Sequence, residues 1–156
     1  ILTEQGFTAT SAVAAIGIVG IGSAVGKLIF GYLCDRIDPK YAVAISYALV
    51  AFSLIAIIQA TSMVHVWLYA ALGGLGMGGW APNMAMLTSK YFGIKHFGSI
   101  LGVFHLFFLG GEAFGPLIAG SVFDQTGSYR LILMVFMALC VVSIPVIISI
   151  RRPRGD

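Results

Sequence analysis

The sequence predicts an all-α protein, a polytopic bundle of membrane-spanning helices. Three observations lead there: the composition, the length of its apolar stretches and the placement of Lys and Arg. Of its 156 residues, 59% are hydrophobic and 10% charged, with a mean hydropathy of +0.99. A soluble domain carries about 25% charged residues, and a chain with so few cannot cover a water-facing surface.

Five apolar stretches, at roughly residues 9–33, 41–60, 66–88, 99–123 and 131–150, are each long enough to cross the hydrocarbon core as a helix. The first ends in "GYLCDRIDPK", residues 31–40. There Asp38 and Pro39 supply a helix N-cap and a proline at the first helical position, so the second helix starts at that point. The third contains a run of glycines followed by Pro82, which is expected to bend it. The fourth carries His105 and Glu112 in mid-helix, and the fifth leads into the basic tail Arg151, Arg152 and Arg154.

Lys and Arg collect in alternate connections. Arg36, Lys40, Lys90, Lys95 and the three tail arginines fall on one side, only Arg130 falls on the other, and Lys27 lies inside the first helix. Positive residues mark the cytoplasmic side. The tail is therefore expected inside a plasma or inner cell membrane, with the first helix entering from outside. The chain opens on Ile1, in a segment that reads as an interhelical loop, so it is read as a piece of a longer protein.

Several functions are excluded. "GLGMGG", residues 74–79, fits the dinucleotide fingerprint G-x-G-x-x-G letter by letter. That fingerprint needs a preceding strand and an acidic residue about 20 positions on. No Asp or Glu occurs between Asp38 and Glu112, so no cofactor is expected and the glycines are read as helix-packing residues. Cys34 and Cys140 are isolated, which points to neither a disulfide framework nor a metal site. No basic patch with interleaved aromatics supports nucleic-acid binding. An intramembrane enzyme would need a nucleophile with a partner, and neither G-x-S-G nor a paired membrane Asp is present.

Gly31-x-x-x-Asp35-Arg36 with Lys40 resembles the signature loop of the major facilitator superfamily, with Asp38 where a glycine is common. Gly102, Gly111, Gly115-Pro116 and Ala119-Gly120 resemble the pattern G-x8-G-x3-G-P-x2-G-G of its antiporters, with one glycine replaced by alanine. "GGWAPNMAMLTSKYFGIKHFGSILG" and "FDQTGSY" are similar to the tenth-to-twelfth helix region of oxalate/formate and monocarboxylate-like transporters. The resemblance covers nearly the whole chain. It implies helices eight to twelve of a twelve-helix fold; helices two to six are the alternative register, with the same topology and motif types.

On that resemblance the partners are the bilayer, a small solute and an N-terminal bundle outside the sequence. The implied activity is movement of a small organic anion by rocking of two bundles, coupled to a proton or to another anion. A non-transporting structural subunit is the rival, and the intramembrane Lys27 and Glu112 argue against it. Residues Gly31, Asp35, Arg36 and Lys40 would form the conformational switch, and Gly102, Gly111, Gly115, Pro116 and Gly120 a helix-packing surface. Lys27 occupies the place of a basic residue that contacts the anion in carboxylate-transporting relatives; the plainer reading is that it snorkels to the surface. The fourth span has no second basic residue, which argues against a dicarboxylate such as oxalate.

Asn83 and Trp80, with Tyr69, are expected to line a cavity. Glu112 and His105 stand seven residues apart, two turns along one helix face, about 10 Å along the axis. A charge at the bilayer centre costs about 2.5–3.5 kcal/mol. Glu112 is thus expected to hold a proton away from lipid, and His105, an imidazole, to share that task. The plainer reading is that both merely pack or hydrogen-bond between helices.

Overall fold

The computed structural model describes residues 9–150, with side-chain surroundings given from Val13 onward. Six helices follow one another: α1 (Ala9–Arg36), α2 (Pro39–Ile58), α3 (Met63–Gly78), α4 (Trp80–Phe92), α5 (Phe97–Thr126) and α6 (Arg130–Ser149). Helices alone suit a lipid solvent, because each satisfies its own backbone N–H and C=O groups where no water is present. Among the described residues α1, α2, α5 and α6 are each long and apolar enough to cross a membrane.

The stretch expected as one bent helix over 66–88 is two helices, α3 and α4, that meet at Gly79. The interruption falls before the proline, not on it. Pro82 has no N–H to give to the carbonyl four residues back, that of Gly78, so the ladder opens at this point. Gly79 keeps near-helical dihedrals (φ −68°, ψ −16°) and donates to Gly76 at 3.2 Å, so the backbone passes from α3 to α4 with no intervening loop.

Asp38 caps α2 as its sequence suggests: it is extended (φ −66°, ψ 128°), Pro39 follows, and its side chain accepts from the Lys40 N–H at 3.3 Å. At the far end of α5, Gly127 closes the helix with φ 66°, a left-handed value that glycine adopts without strain.

Glycine decides the packing. α3 lies between α1 and α2 and presents a different glycine face to each. Toward α1, a Cβ on Gly74 would stand 2.7 Å from the Val19 carbonyl oxygen, and one on Gly78 would overlap the Ser23 carbonyl. α1 answers with Gly22 and Gly26 at the same four-residue spacing; a Cβ on Gly22 would be 3.3 Å from the Gly74 Cα. Toward α2, Gly73 meets the Ser53 hydroxyl, and a Cβ on Gly76 would lie 2.9 Å from the Ser46 carbonyl oxygen. In lipid, apolar burial gives helices little reason to associate, so close backbone approach and dispersion hold them together. α6 packs along α2, α4 touches both α1 and α2, and α5 rests lightly against α4 and α6.

Candidate functional site

The helix break places Trp80 at the first position of α4 and Asn83 one turn further on. Trp80 reaches α5: its ring stacks on Phe108 with centroids 4.3 Å apart and meets the His105 ring edge-on at 5.3 Å. Among the residues singled out from the sequence, Trp80 and His105 are thus brought together. His105 Nδ1 lies 3.0 Å from the Leu101 carbonyl oxygen. A carbonyl only accepts, so Nδ1 carries the hydrogen and the Nε2 lone pair is left to accept a bond.

Asn83 is 1% exposed, and its amide is committed within the protein. Nδ2 donates to the Ser46 hydroxyl at 2.6 Å, and Oδ1 accepts from the Cys34 thiol at 3.2 Å. One side chain thereby ties α4 to α1 and α2 just below the break. Asn83 forms part of a cavity wall, and its polar atoms bond to neighbouring helices of the bundle. An unpaired amide so deeply buried would cost about 1–3 kcal/mol, and Ser46 and Cys34 remove that cost.

Lys27 lies on an exposed part of α1, and Glu112 on an exposed part of α5. Their helices do not touch; α4 lies between them, in contact with both. Among the described residues no side-chain ion pair engages either of them. The glycines expected to pack on α5 behave unlike those of α3. Nothing stands within 4 Å of a Cβ built on Gly102, Gly111, Gly115 or Gly120, Pro116 is exposed, and α5 has no buried residue. The close packing expected of this stretch is made instead by α1 and α3, since no helix of the described chain lies against the α5 glycines.

At the charged end, Asp35 and Arg36 are exposed, with the Arg36 guanidinium 5.2 Å above the Tyr32 ring. Gly31 has open space where a Cβ would stand. Lys40 donates from Nζ to the Ile148 carbonyl at 3.4 Å, joining the start of α2 to the end of α6. Asp38 is the connected residue here: it accepts from the Tyr91 hydroxyl at 3.0 Å and lies 3.8 Å from the Lys90 ammonium. That clamp joins the α1–α2 turn to the end of α4. Sequence reasoning found Asp38 only as a cap, because Tyr91 and Lys90 are more than fifty residues away along the chain. It also missed Cys34, Ser46 and Phe108; only the polar-free surroundings of Asn83 hinted that partners were needed.

A multi-pass bundle whose described residues form only helices, with ionisable side chains within membrane-length segments, defines a class of integral membrane protein. The chain belongs to the Major Facilitator Superfamily, which it matches over residues 1–156. It is 34% identical over 129 residues to monocarboxylate transporter 9 of Pongo abelii, covering 81% of this chain and 25% of that protein. The Rattus norvegicus protein of the same name is 33% identical over the same length, with the same coverage. A gallate transporter of Pseudomonas putida is 29% identical over 127 residues, covering 78% of this chain and 27% of its own. The chain thus spans about a quarter of the length of these relatives. No solved structure matches it significantly.

Proposed function

We propose that this chain is part of the C-terminal bundle of a secondary transporter that carries a small organic anion, a monocarboxylate, by alternating access. "YFGIKHFG" and "DQTGSY" support helices eight to twelve over helices two to six. The observation that carries the anion reading is Lys27. It is the one Lys or Arg placed well inside an apolar helix among the described residues, about 14 Å along α1 from Arg36 at 1.5 Å per residue. Such a charge at depth marks a solute path or a partner. The relatives' names agree in chemistry, since gallate is itself a monocarboxylate.

In this reading α1, α4 and α5 face the opposite bundle. Lys27 holds the carboxylate as a point charge, Trp80 supplies an aromatic wall, and His105 and Glu112 exchange the coupling proton as the path opens to either side. The exposed Asp35–Arg36 pair makes contacts that differ between the two states, and the uncovered α5 glycines take a helix of the remaining protein. The end bearing Arg36, Lys40 and Lys90 is cytoplasmic.

The test is uptake of labelled lactate and benzoate by the full-length protein in vesicles. Lys27→Gln should weaken apparent affinity by roughly ten- to hundredfold, the worth of a hydrogen bond to a charged group, and Lys27→Arg should restore part of it. Normal uptake by Lys27→Gln returns Lys27 to snorkelling. Under an imposed pH gradient, Glu112→Gln should abolish gradient-driven accumulation while exchange of solute continues; full accumulation removes Glu112 from the coupling step.

A further inference from the structure

A cavity of about 250 Å³ lies between α2, the α3–α4 break, α5 and α6. Aromatic rings and sulfur make much of its wall. Tyr47 comes from α2, Trp80 and Phe108 from the α4–α5 contact, Met77 and Met84 from either side of the break, and Cys140 from α6. Aliphatic side chains of α2 make most of the rest. Among the described residues that border it there is no Asp, Glu, Lys, Arg or His.

The polar groups at its edge are few and unequal. Asn83 is engaged by Ser46 and Cys34. Ser46 accepts from Asn83 at 2.6 Å and keeps its own hydroxyl hydrogen to give. The Tyr47 hydroxyl, next to it on α2, has no hydrogen-bond partner among the described residues, although a phenolic oxygen can both donate and accept. Inside a membrane bundle such a hydroxyl calls for a partner.

Each simple occupant meets only part of this wall. Water at Tyr47 would answer the hydroxyl, yet it leaves the carbon and sulfur surfaces without dispersion contacts. A hydrocarbon chain would cover those surfaces and leave the hydroxyl unanswered. A carboxylate would lose its hydration and meet no cation. A neutral molecule with one aromatic ring and one hydroxyl meets every feature. Sulfur atoms beside a ring, and rings packed edge-on or offset, attract an aromatic guest beyond its area alone. Size agrees, because a dry apolar cavity of about 150 Å³ holds benzene; this one holds a ring and a substituent.

We propose that the cavity is a binding site for a neutral one-ring phenol, with its hydroxyl at Tyr47 and its ring among Trp80, Phe108, Met77, Met84 and Cys140. It is separate from the anion path, since Lys27 does not border it. A guest there touches α2, α4, α5 and α6 at once, and so ties the lightly held α5 to the rest of the bundle. Val43, Tyr47 and Met84 also border a second cavity, of about 300 Å³, that extends along α6 to Ile150 and gives the guest a way in past Tyr47.

The test is binding of 4-fluorophenol to the full-length protein in detergent near neutral pH, read by fluorine NMR line broadening against protein-free micelles. Broadening should saturate, and unlabelled phenol should reverse it, whereas benzoate should not. Tyr47→Phe should weaken 4-fluorophenol about tenfold, the worth of one hydrogen bond. The same variant should bind 4-fluorotoluene, a ring without the hydroxyl, as the parent does. Cys140→Leu, which fills the cavity from α6, should abolish saturable binding of both probes. If that variant does not fold, the isosteric Tyr47→Phe decides alone. An equal effect of Tyr47→Phe on the two probes, or none on either, overturns the proposal by taking the hydroxyl out of recognition. Competition by benzoate overturns it by placing the phenol in an anion site. Absence of saturable binding overturns it by showing that the cavity is closed or held by water. The readout is binding, so its failure is separate from any failure of the transport reading.

Discussion

Helices α3 and α5 are both rich in glycine, yet they stand in opposite surroundings. In α3 the glycines at 74 and 78 meet the backbone of α1, and those at 73 and 76 meet α2. In α5 no glycine has a neighbour within 4 Å of its missing Cβ. The helices around them differ in the same way: 44% of the apolar window of α2 is buried, against none of that of α5. Glycine spacing in a membrane helix therefore states that a backbone can come close, and leaves open whose backbone it is. Where the partner belongs to the same stretch of chain, as Gly22 and Gly26 do for α3, the contact forms within it. Where no such partner exists, a smooth face is left for other chain or for lipid.

The largest effect that sharpens this contrast is expected at Gly78. Its Cβ would lie 2.9 Å from the Ser23 carbonyl carbon, and backbone cannot swing aside as a side chain can. Gly78→Val should separate α1 from α3 and destabilise the chain by about 3 kcal/mol, the upper part of the usual overpacking range. Thermal unfolding in detergent would show it as a large fall in midpoint; a midpoint close to that of the parent would mean that the α1–α3 contact is not close.

An intermediate effect is expected at Asn83, which binds three helices through polar groups where α3 fits by shape. Asn83→Ala leaves the Ser46 hydroxyl and the Cys34 thiol facing each other's lost partner, at a cost of about 1–3 kcal/mol. Freed from its bond, Cys34 should also react faster with a small maleimide, in a background where Cys140 is replaced. An unchanged labelling rate would show that the thiol is held by packing alone.

The smallest effect is expected at Gly111. With open space around it, Gly111→Ala should change the stability of this chain by no more than about 0.5 kcal/mol, as at an ordinary surface position. The same substitution in the full-length protein should be clearly destabilising if another helix lies against α5. Equal, negligible effects in both would leave that face to lipid.

Much of the fold was legible before any coordinate. The bilayer forces every spanning segment to satisfy its own backbone, so length and apolarity alone read out the helices. The α2 start was equally local: Asp38 and Pro39 contain their own cap and N1 geometry. The failed context of "GLGMGG" was enough to move those glycines from cofactor binding to packing. What the residues could not tell was pairing. The break fell at Gly79 because Pro82 acts on the turn behind it, and Trp80 was thereby delivered to His105 and Phe108 on the following helix, 25 and 28 residues away along the chain. Asn83 was expected at a cavity from the sequence, but its partners Cys34 and Ser46, 49 and 37 residues away, were not legible there. Helix formation in lipid is a one-dimensional constraint that each segment meets alone. Which faces meet depends on shape and on a few polar partners far apart along the chain, and those exist only once the helices stand side by side.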